Sequence, residues 1–358
     1  MAQLDSLLKK MVEVGASDLH LSAGEPVRLR VDGELRRFAD KPLDHSMLAE
    51  LMQEICRKDQ WQSFCRSHDL DFAYGVKGVG RFRCNYLHQT RGPGAVFRML
   101  PEAIQSLEEL LMPPAVLELP KLRSGLLLVT GPTGSGKSTT LAAIIDRINR
   151  SAARHIVTIE DPIEFVHRDI KSYIVQREVG LHTRSFSAAL RDALLQDPDV
   201  VLVGELRDLE TISLAVTAAE MGVLIMGTLH TNSAAKTFDR IIDVFPPAQK
   251  DQIRSMLAES LRAIVAQTLL RLAGKPGRIA AVEVLLGGPA LGAIIREGSA
   301  SKILSYLESG RGRGMQTMDE ALTDLVQRGV VEAREAYLKC HDKGRFETWA
   351  EKQGIALE

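Results

Sequence analysis

Leu126-Leu127-Leu128-Val129-Thr130-Gly131-Pro132-Thr133-Gly134-Ser135-Gly136-Lys137-Ser138-Thr139-Thr140-Leu141 is the stretch that decides the fold. Its first five residues are a short apolar run of the kind that makes a buried parallel strand. Residues 131–138 fit G-x-x-x-x-G-K-[ST], and the sequence from Thr139 to Ile145 begins a helix. Strand, glycine-rich turn and helix in that order make a phosphate cradle. Glycine lets successive N–H groups turn towards one anion, and the helix N-terminus adds partial positive charge. Gly131, Thr133, Gly134, Ser135, Gly136, Lys137, Ser138 and Thr139 are therefore the candidate nucleotide-binding residues. Lys137 is expected to stand exposed in the empty loop and to reach the β- and γ-phosphates of a nucleoside triphosphate. The Ser138 hydroxyl is expected to hold Mg²⁺.

From Ser124 onward short apolar strands alternate with helices. The strands are His155 to Ile159, Ser172 to Gln176, Val200 to Val203 and Val223 to Leu229. The helices are Phe186 to Leu195, Leu209 to Met221 and Ala234 to Ile242. This alternation predicts a parallel sheet with helices on its faces, where ligands gather at the carboxyl ends of the strands. Three strand ends carry chemistry. Val200 to Val203 runs into Gly204-Glu205, an acid placed to hold Mg²⁺. Glu160-Asp161-Pro162-Ile163-Glu164-Phe165 puts three carboxylates after another strand, a costly arrangement unless a cation or a water-activating role compensates. Spacing alone leaves Glu164 and Glu205 both open as the general base. His230, in Thr228-Leu229-His230-Thr231-Asn232, is placed as a γ-phosphate sensor.

The 358 residues are enough for two domains. Before residue 100 the pattern is α+β: an amphipathic helix through Leu4, Leu7, Leu8, Met11 and Val12, then strands at Asp18 to Leu21 and Val27 to Val31. Asp32-Gly33 reads as a hairpin turn, Ser46 to Phe64 as one helical stretch, and strands follow at Asp69 to Tyr74, Gly80 to Leu87 and Gly94 to Met99. Arg81, Arg83, Arg91 and Arg98 cluster there, either a basic face or a source of arginine fingers for a neighbouring subunit. Pro101, Pro113, Pro114 and Pro120 punctuate a linker. Pro289 onward is mainly helical, with Gly310 to Gly314 expected as a flexible basic loop.

Basic and acidic residues balance, 45 against 46, so no strong overall field exists for nucleic acid and none is expected as a partner. Cys56, Cys65, Cys84 and Cys340 form no C-x-x-C pair, which argues against a zinc knuckle and fits a reducing cytosol. No apolar run approaches a membrane span, so any membrane association is expected to be peripheral or through a partner.

The combination of motifs resembles the secretion ATPases, and within them the type IV pilus retraction ATPases. Residues 160–165 resemble their Asp box, Val203 to Thr211 their Walker B region, Thr228 to Asn232 their His box and Ala16 to Leu21 the opening of their N-terminal domain. Gln176 to Gly180 and Ile241 to Pro246 match as well. The resemblance implies an α/β protein: a PAS-like α+β domain over 1–100, a linker and leading helix over 101–123, a RecA-like P-loop ATPase core over 124–288 and a helical C-terminal part over 289–358. It implies a cytoplasmic homohexamer that hydrolyses ATP with Mg²⁺ and powers pilus retraction and twitching motility. It would act on an inner-membrane platform protein, with a paralogous retraction ATPase as a further candidate partner. Glu164 matches the catalytic glutamate, Glu205 the Walker B acid near Mg²⁺, and Arg83 and Arg98 the arginines that face bound nucleotide.

The alternatives are an accessory retraction ATPase of weak activity and a pilus-assembly or type II secretion ATPase. The latter usually carry a longer N-terminal region and a tetracysteine insert. A nucleic-acid motor on the same core is a third reading, disfavoured by the charge balance. Three departures separate the chain from the family pattern. Leu291, Gly292 and Ala293 interrupt the C-terminal helix motif, Val223 replaces a His, and Leu195 replaces an Arg while Arg191 remains. Positions 195 and 223 are expected either to weaken the coupling of nucleotide state to motion or to be simple packing sites.

Overall fold

The computed structural model describes residues 2–31, 33–101, 103–299 and 301–357. Contacts divide the chain into two compact units. One runs to Ala103 and also takes in Asp161–Val166; the other comprises Ile104–Glu160 and the chain from His167 onward.

In the first unit α1 (Gln3–Glu13) buries Leu4, Leu8 and Met11, the i, i+4, i+7 stripe of an amphipathic helix. Burying three such side chains contributes about 1.5–3 kcal/mol each. The strands are β1 (Asp18–Ser22), β2 (Pro26–Val31), β3 (Glu34–Pro42), β4 (Asp69–Val76), β5 (Gly80–Gln89) and β6 (Gly92–Leu100). They form an antiparallel sheet in the order β3-β2-β1-β6-β5-β4. Period-two alternation sends Leu19, Leu29, Phe82, Tyr86 and Phe97 to the core and leaves Asp18, Arg30, Arg83 and Arg98 on the other face. Asp32 lies outside the described residues; Gly33 has φ +84°, the left-handed conformation expected of a hairpin glycine. The single helical stretch expected between Ser46 and Phe64 is two helices, α2 (His45–Glu54) and α3 (Lys58–Ser67). The break is local. Asp44 caps α2, and the Gln60 side chain accepts the backbone N–H of Arg57, whose extended ψ of 156° starts a new helix.

The second unit contains α4 (Pro114–Glu118), β7 (Gly125–Thr130), α5 (Lys137–Ser151), β8 (His155–Glu160), β9 (Tyr173–Glu178), α6 (Phe186–Leu194), β10 (Val200–Val203), α7 (Leu209–Glu220), β11 (Leu224–Leu229), α8 (Ala234–Asp243), α9 (Pro247–Ser260), β12 (Leu261–Arg271) and β13 (Arg278–Leu286). It closes with α10 (Pro289–Glu297), α11 (Lys302–Ser309), α12 (Met318–Gln327), α13 (Ala333–Lys339) and α14 (Lys343–Gln353). The strand order is β13-β12-β7-β11-β10-β8-β9. The sheet is mixed rather than wholly parallel as expected: β12 joins β7 in parallel, but β13 returns antiparallel beside β12. β7 is buried throughout, with Leu126 and Leu128 in the core of one face and Leu127 and Val129 in that of the other. This is why the run has no polar alternation.

The basic segment 310–314 is ordered, not a flexible loop. Arg311–Arg313 forms a 3-10 turn, Arg313 Nη2 donates to the Tyr306 hydroxyl at 2.9 Å, and Arg311 pairs with Glu320.

Glu283 on β13 ties the sheet to two helices. Only 3% exposed, it accepts the backbone N–H of Ala234 at 2.7 Å and of Met318 at 3.2 Å, the first residues of α8 and α12. Those donors lack intrahelical partners, and the helix N-termini favour an acceptor there. Burial nonetheless outweighs the two N–H bonds and raises the Glu283 pKa. A raised carboxylate loses stability as pH rises through its folded pKa. Glu283→Gln turns an amide NH₂ towards one of the two N–H groups and is expected to cost about 1–3 kcal/mol. In thermal melts this deficit should narrow as the pH rises above the ordinary glutamate value of 4.5.

Candidate nucleotide site

Gly131, Gly134 and Gly136 have φ of +147°, +78° and +88°, so the turn between β7 and α5 needs its glycines for backbone conformation. Gly131 is constrained in space as well. A Cβ there would meet the Gln267 carbonyl at 2.3 Å and Ser135 Oγ at 2.5 Å. Gly136 is the N-cap of α5. Pro132, Thr133 and Gly134 are exposed, Ser138 and Thr139 half-buried and Ser135 buried.

Lys137 departs from expectation. It is only 9% exposed, and its Nζ donates to the carbonyls of Gly131 at 2.8 Å and Pro132 at 3.1 Å. A buried ammonium needs acceptors, and the loop's own carbonyls supply them. A residue with no motif to announce it braces the loop from β12. Gln267 is 1% exposed; its Nε2 donates to the Ser135 carbonyl at 2.6 Å, and its Oε1 accepts the Thr140 hydroxyl at 3.0 Å. The only sequence signal was a glutamine within the apolar run 263–270.

The neighbouring strand ends are laced to the loop. Gly131 N–H donates to the Leu229 carbonyl, Leu206 N–H to Thr228 and Gly204 N–H to Ile159. The carboxyl ends of β7, β11, β10 and β8 therefore form one row. Glu205 and His230 meet in it: His230 Nε2 lies 3.2 Å from Glu205 Oε1, and Arg207 Nη2 is 2.6 Å from Glu205 Oε2. Burial raises the Glu205 pKa, but Arg207 and His230 together overcome it, and the net shift is downward. Glu205 is thus held anionic, as a cation ligand must be. Glu160, ending β8, accepts the Thr158 hydroxyl at 2.7 Å.

The next six residues pack with the first unit. Arg81 donates to the carbonyls of Ile163 at 2.9 Å and Glu164 at 3.3 Å, fixing the backbone that carries Glu164. Arg83 and Arg98 face each other across β5 and β6, and each has a carboxylate partner that composition did not announce. Arg83 grips Asp71, with Nη2 to Oδ2 at 2.5 Å and Nε bonds at 3.1 and 3.2 Å. Arg98 Nε donates to buried Asp18 at 2.7 Å. The Asp71 bonds push the Arg83 pKa up, with smaller help from Glu164 and Asp161.

Two departures from the family pattern lie at the other end of the sheet. Gly125 N–H donates to the Val223 carbonyl at the amino end of the β7–β11 pair, while Gly131 bonds Leu229 at the carboxyl end. Six strand residues separate them, about 20 Å. Neither 223 nor 195 can touch a phosphate in this unit's loop. Leu195 is 85% exposed, so it fills no space; Val223 is half-buried against the core. Gly292 is the tight one: a Cβ there would lie 3.0 Å from the Ala258 carbonyl of α9.

A glycine turn between a buried strand and a helix N-terminus, with a strand two places along the sheet that runs into an anionic acid, defines a P-loop nucleotide-binding protein. A family model for type II/IV secretion system proteins matches residues 1–336. The type IV pilus retraction ATPase PilT of Pseudomonas aeruginosa is 50% identical over 333 residues, 93% of this chain and 96% of that one. The type IV pilus ATPase PilU of the same organism is 38% identical over 334 residues, 93% of this chain and 87% of that one. A crystal structure of the pilus retraction motor PilT with bound ADP matches with a TM-score of 0.89 at 42% identity, covering 97% of this chain and 99% of that one. The chain belongs to the type II/IV secretion system family and, within it, to the ATP-hydrolysing type IV pilus retraction ATPases.

Lys137→Ala is expected to abolish the rise in melting temperature that ATP produces. It should leave the nucleotide-free protein folded and destabilised by no more than about 1–3 kcal/mol, the cost of the carbonyls it satisfied. Leu195→Arg, on an exposed helix end, is expected to change stability by no more than about 0.5 kcal/mol. A large loss in its thermal melt would mean that position 195 is a packing site after all.

Proposed function

We propose that this chain is a motor that couples ATP hydrolysis to retraction of type IV pili. The observation that carries this reading is the phosphate loop with Glu205 two strands away, in a chain 50% identical to a retraction ATPase along almost its whole length. The lower identity to PilU favours retraction proper over an accessory role. The first unit is read as the PAS-like domain, 1–100. Residues 101–123 are the linker, 124–288 the RecA-like core and 289–358 its helical C-terminal part.

ATP is proposed to bind at Gly131–Thr139, with Lys137 exchanging its loop carbonyls for β- and γ-phosphate oxygens. Ser138 and Glu205 are the residues that would hold Mg²⁺, each by an oxygen of the kind this ion prefers. When bound, the ion neutralises charge developing on the phosphates. Glu164 accepts a proton from the attacking water, and His230, bonded to Glu205, reads the presence of the γ-phosphate. Arg83 and Arg98 are assigned to the nucleotide of a neighbouring subunit in a homohexamer, which requires phosphate to compete with Asp71 and Asp18 for the guanidinium groups.

Among the described residues no helix is long and apolar enough to cross a membrane. Work on the pilus is assigned, on the family resemblance, to contact with an inner-membrane platform protein from the cytoplasmic side, with a paralogous retraction ATPase as a further partner.

The test pairs retraction assays in a deletion strain with kinetics of the purified protein. Glu164→Gln is expected to bind ATP with Mg²⁺ normally, to hydrolyse it about 10²–10⁴-fold more slowly and to fail to restore retraction. Near-normal turnover would remove Glu164 from the mechanism. Normal retraction in the deletion strain itself would remove the motor assignment.

A further inference from the structure

Gln267 is a buried polar side chain of the sheet that bonds the phosphate loop at one end of its amide and the first turn of α5 at the other. Its amide has one possible orientation. The Ser135 carbonyl only accepts, so the NH₂ must face it; the oxygen then takes the Thr140 hydroxyl. The backbone of the same residue also shapes the turn, because its carbonyl occupies the space where a Cβ at Gly131 would fall. Gly136 is close too, a Cβ there lying 3.1 Å from Gln267 Nε2. One residue of β12 is therefore in contact with the turn at Gly131, Ser135 and Gly136, and through Thr140 with the first helical turn of α5.

The consequence lies in the peptide between Ser135 and Gly136. A trans peptide points its C=O and N–H in opposite directions. With the Ser135 carbonyl drawn towards β12, the Gly136 N–H is turned away from β12, at the N-terminus of α5 where an anion would sit. We propose that Gln267 is a positioning residue for nucleotide: by holding the Ser135 carbonyl it presets the Gly136 N–H as a phosphate donor, and Thr140 locks the amide that does so. This rests on the reading of the loop as an ATP site. It adds a member to that site which contacts no ligand.

The experiment is ATP titration calorimetry with Mg²⁺ on the full chain, alongside steady-state kinetics. Gln267→Leu keeps the side-chain size and removes both bonds. It is expected to weaken ATP binding about tenfold or more and to raise KM more than it lowers kcat. Gln267→Glu supplies a second readout, one that a merely structural role would not move. Its carboxylate has no proton for Ser135 at about pH 8 but regains one on acidification, because burial raises a carboxyl pKa. Its ATP affinity should therefore recover towards about pH 6 relative to the wild type. Should Gln267→Leu fail to fold, Thr140→Val is expected to weaken ATP binding and Thr140→Ser to restore it.

Unchanged affinity in Gln267→Leu or in Thr140→Val, within about twofold while the wild type binds ATP, overturns the role of Gln267 alone. A wild type that binds no ATP overturns the site reading, and this inference with it.

Discussion

Parallel pairing of β7 with β11 on one side and β12 on the other is the constraint on which the second unit depends. A strand hydrogen-bonded on both edges and packed on both faces cannot shift register without moving its whole apolar set. The carboxyl ends of the neighbouring strands are thereby brought level, and the turns that leave them are close enough to exchange backbone bonds. Gly131 to Leu229, Leu206 to Thr228 and Gly204 to Ile159 are those bonds. Glu205 and His230, far from the phosphate loop in sequence, enter its neighbourhood only because the strands carrying them are in register with β7.

The same unit is held by polar groups buried where the apolar core cannot serve. Asn149, fully buried on α5, donates to the Arg168 carbonyl and accepts the N–H groups of Ile170 and Ser172, so it anchors the chain returning into β9. Glu283 does the same for α8 and α12, and Gln267 for the loop. Each satisfies backbone groups of a neighbouring segment, and a group left buried without its partner would cost about 1–3 kcal/mol. The price of using a carboxylate at 283 is visible in its raised pKa.

On the first unit's sheet the charged face is a row in which two adjacent arginines are flanked by acids. Arg30 pairs across strands with Asp18, Asp18 with Arg98, and Arg98 with Arg83, beyond which lies Asp71. Two arginines directly opposite would repel, and the flanking acids make the row tenable. A cluster that reads as surplus positive charge in one dimension is close to balanced in three. An anionic ligand approaching Arg83 or Arg98 must therefore offer more than a carboxylate does.

The local signals in the chain were sufficient for most elements. The apolar run 126–130, the glycine turn, the helix stripe at Leu4, Leu8 and Met11, and the strand ends at Glu205 and His230 are short-range patterns, each with its own physical cause. The break between α2 and α3 escaped because a cap at Arg57 looks like any arginine within a helical stretch. The strand pair β12–β13 escaped because long apolar runs do not declare their period. Partners were the larger loss. Nothing near Lys137 in sequence says that its ammonium will be buried on the loop's own carbonyls, nothing near Arg83 names Asp71, and nothing marks Gln267 as the brace of a turn 132 residues away. By itself the sequence determined which residues could make a phosphate cradle, because backbone conformation and helix dipoles are local. Only the tertiary structure decided which buried polar atoms complete it, because a hydrogen bond is satisfied by whatever group the sheet register places within about 3 Å.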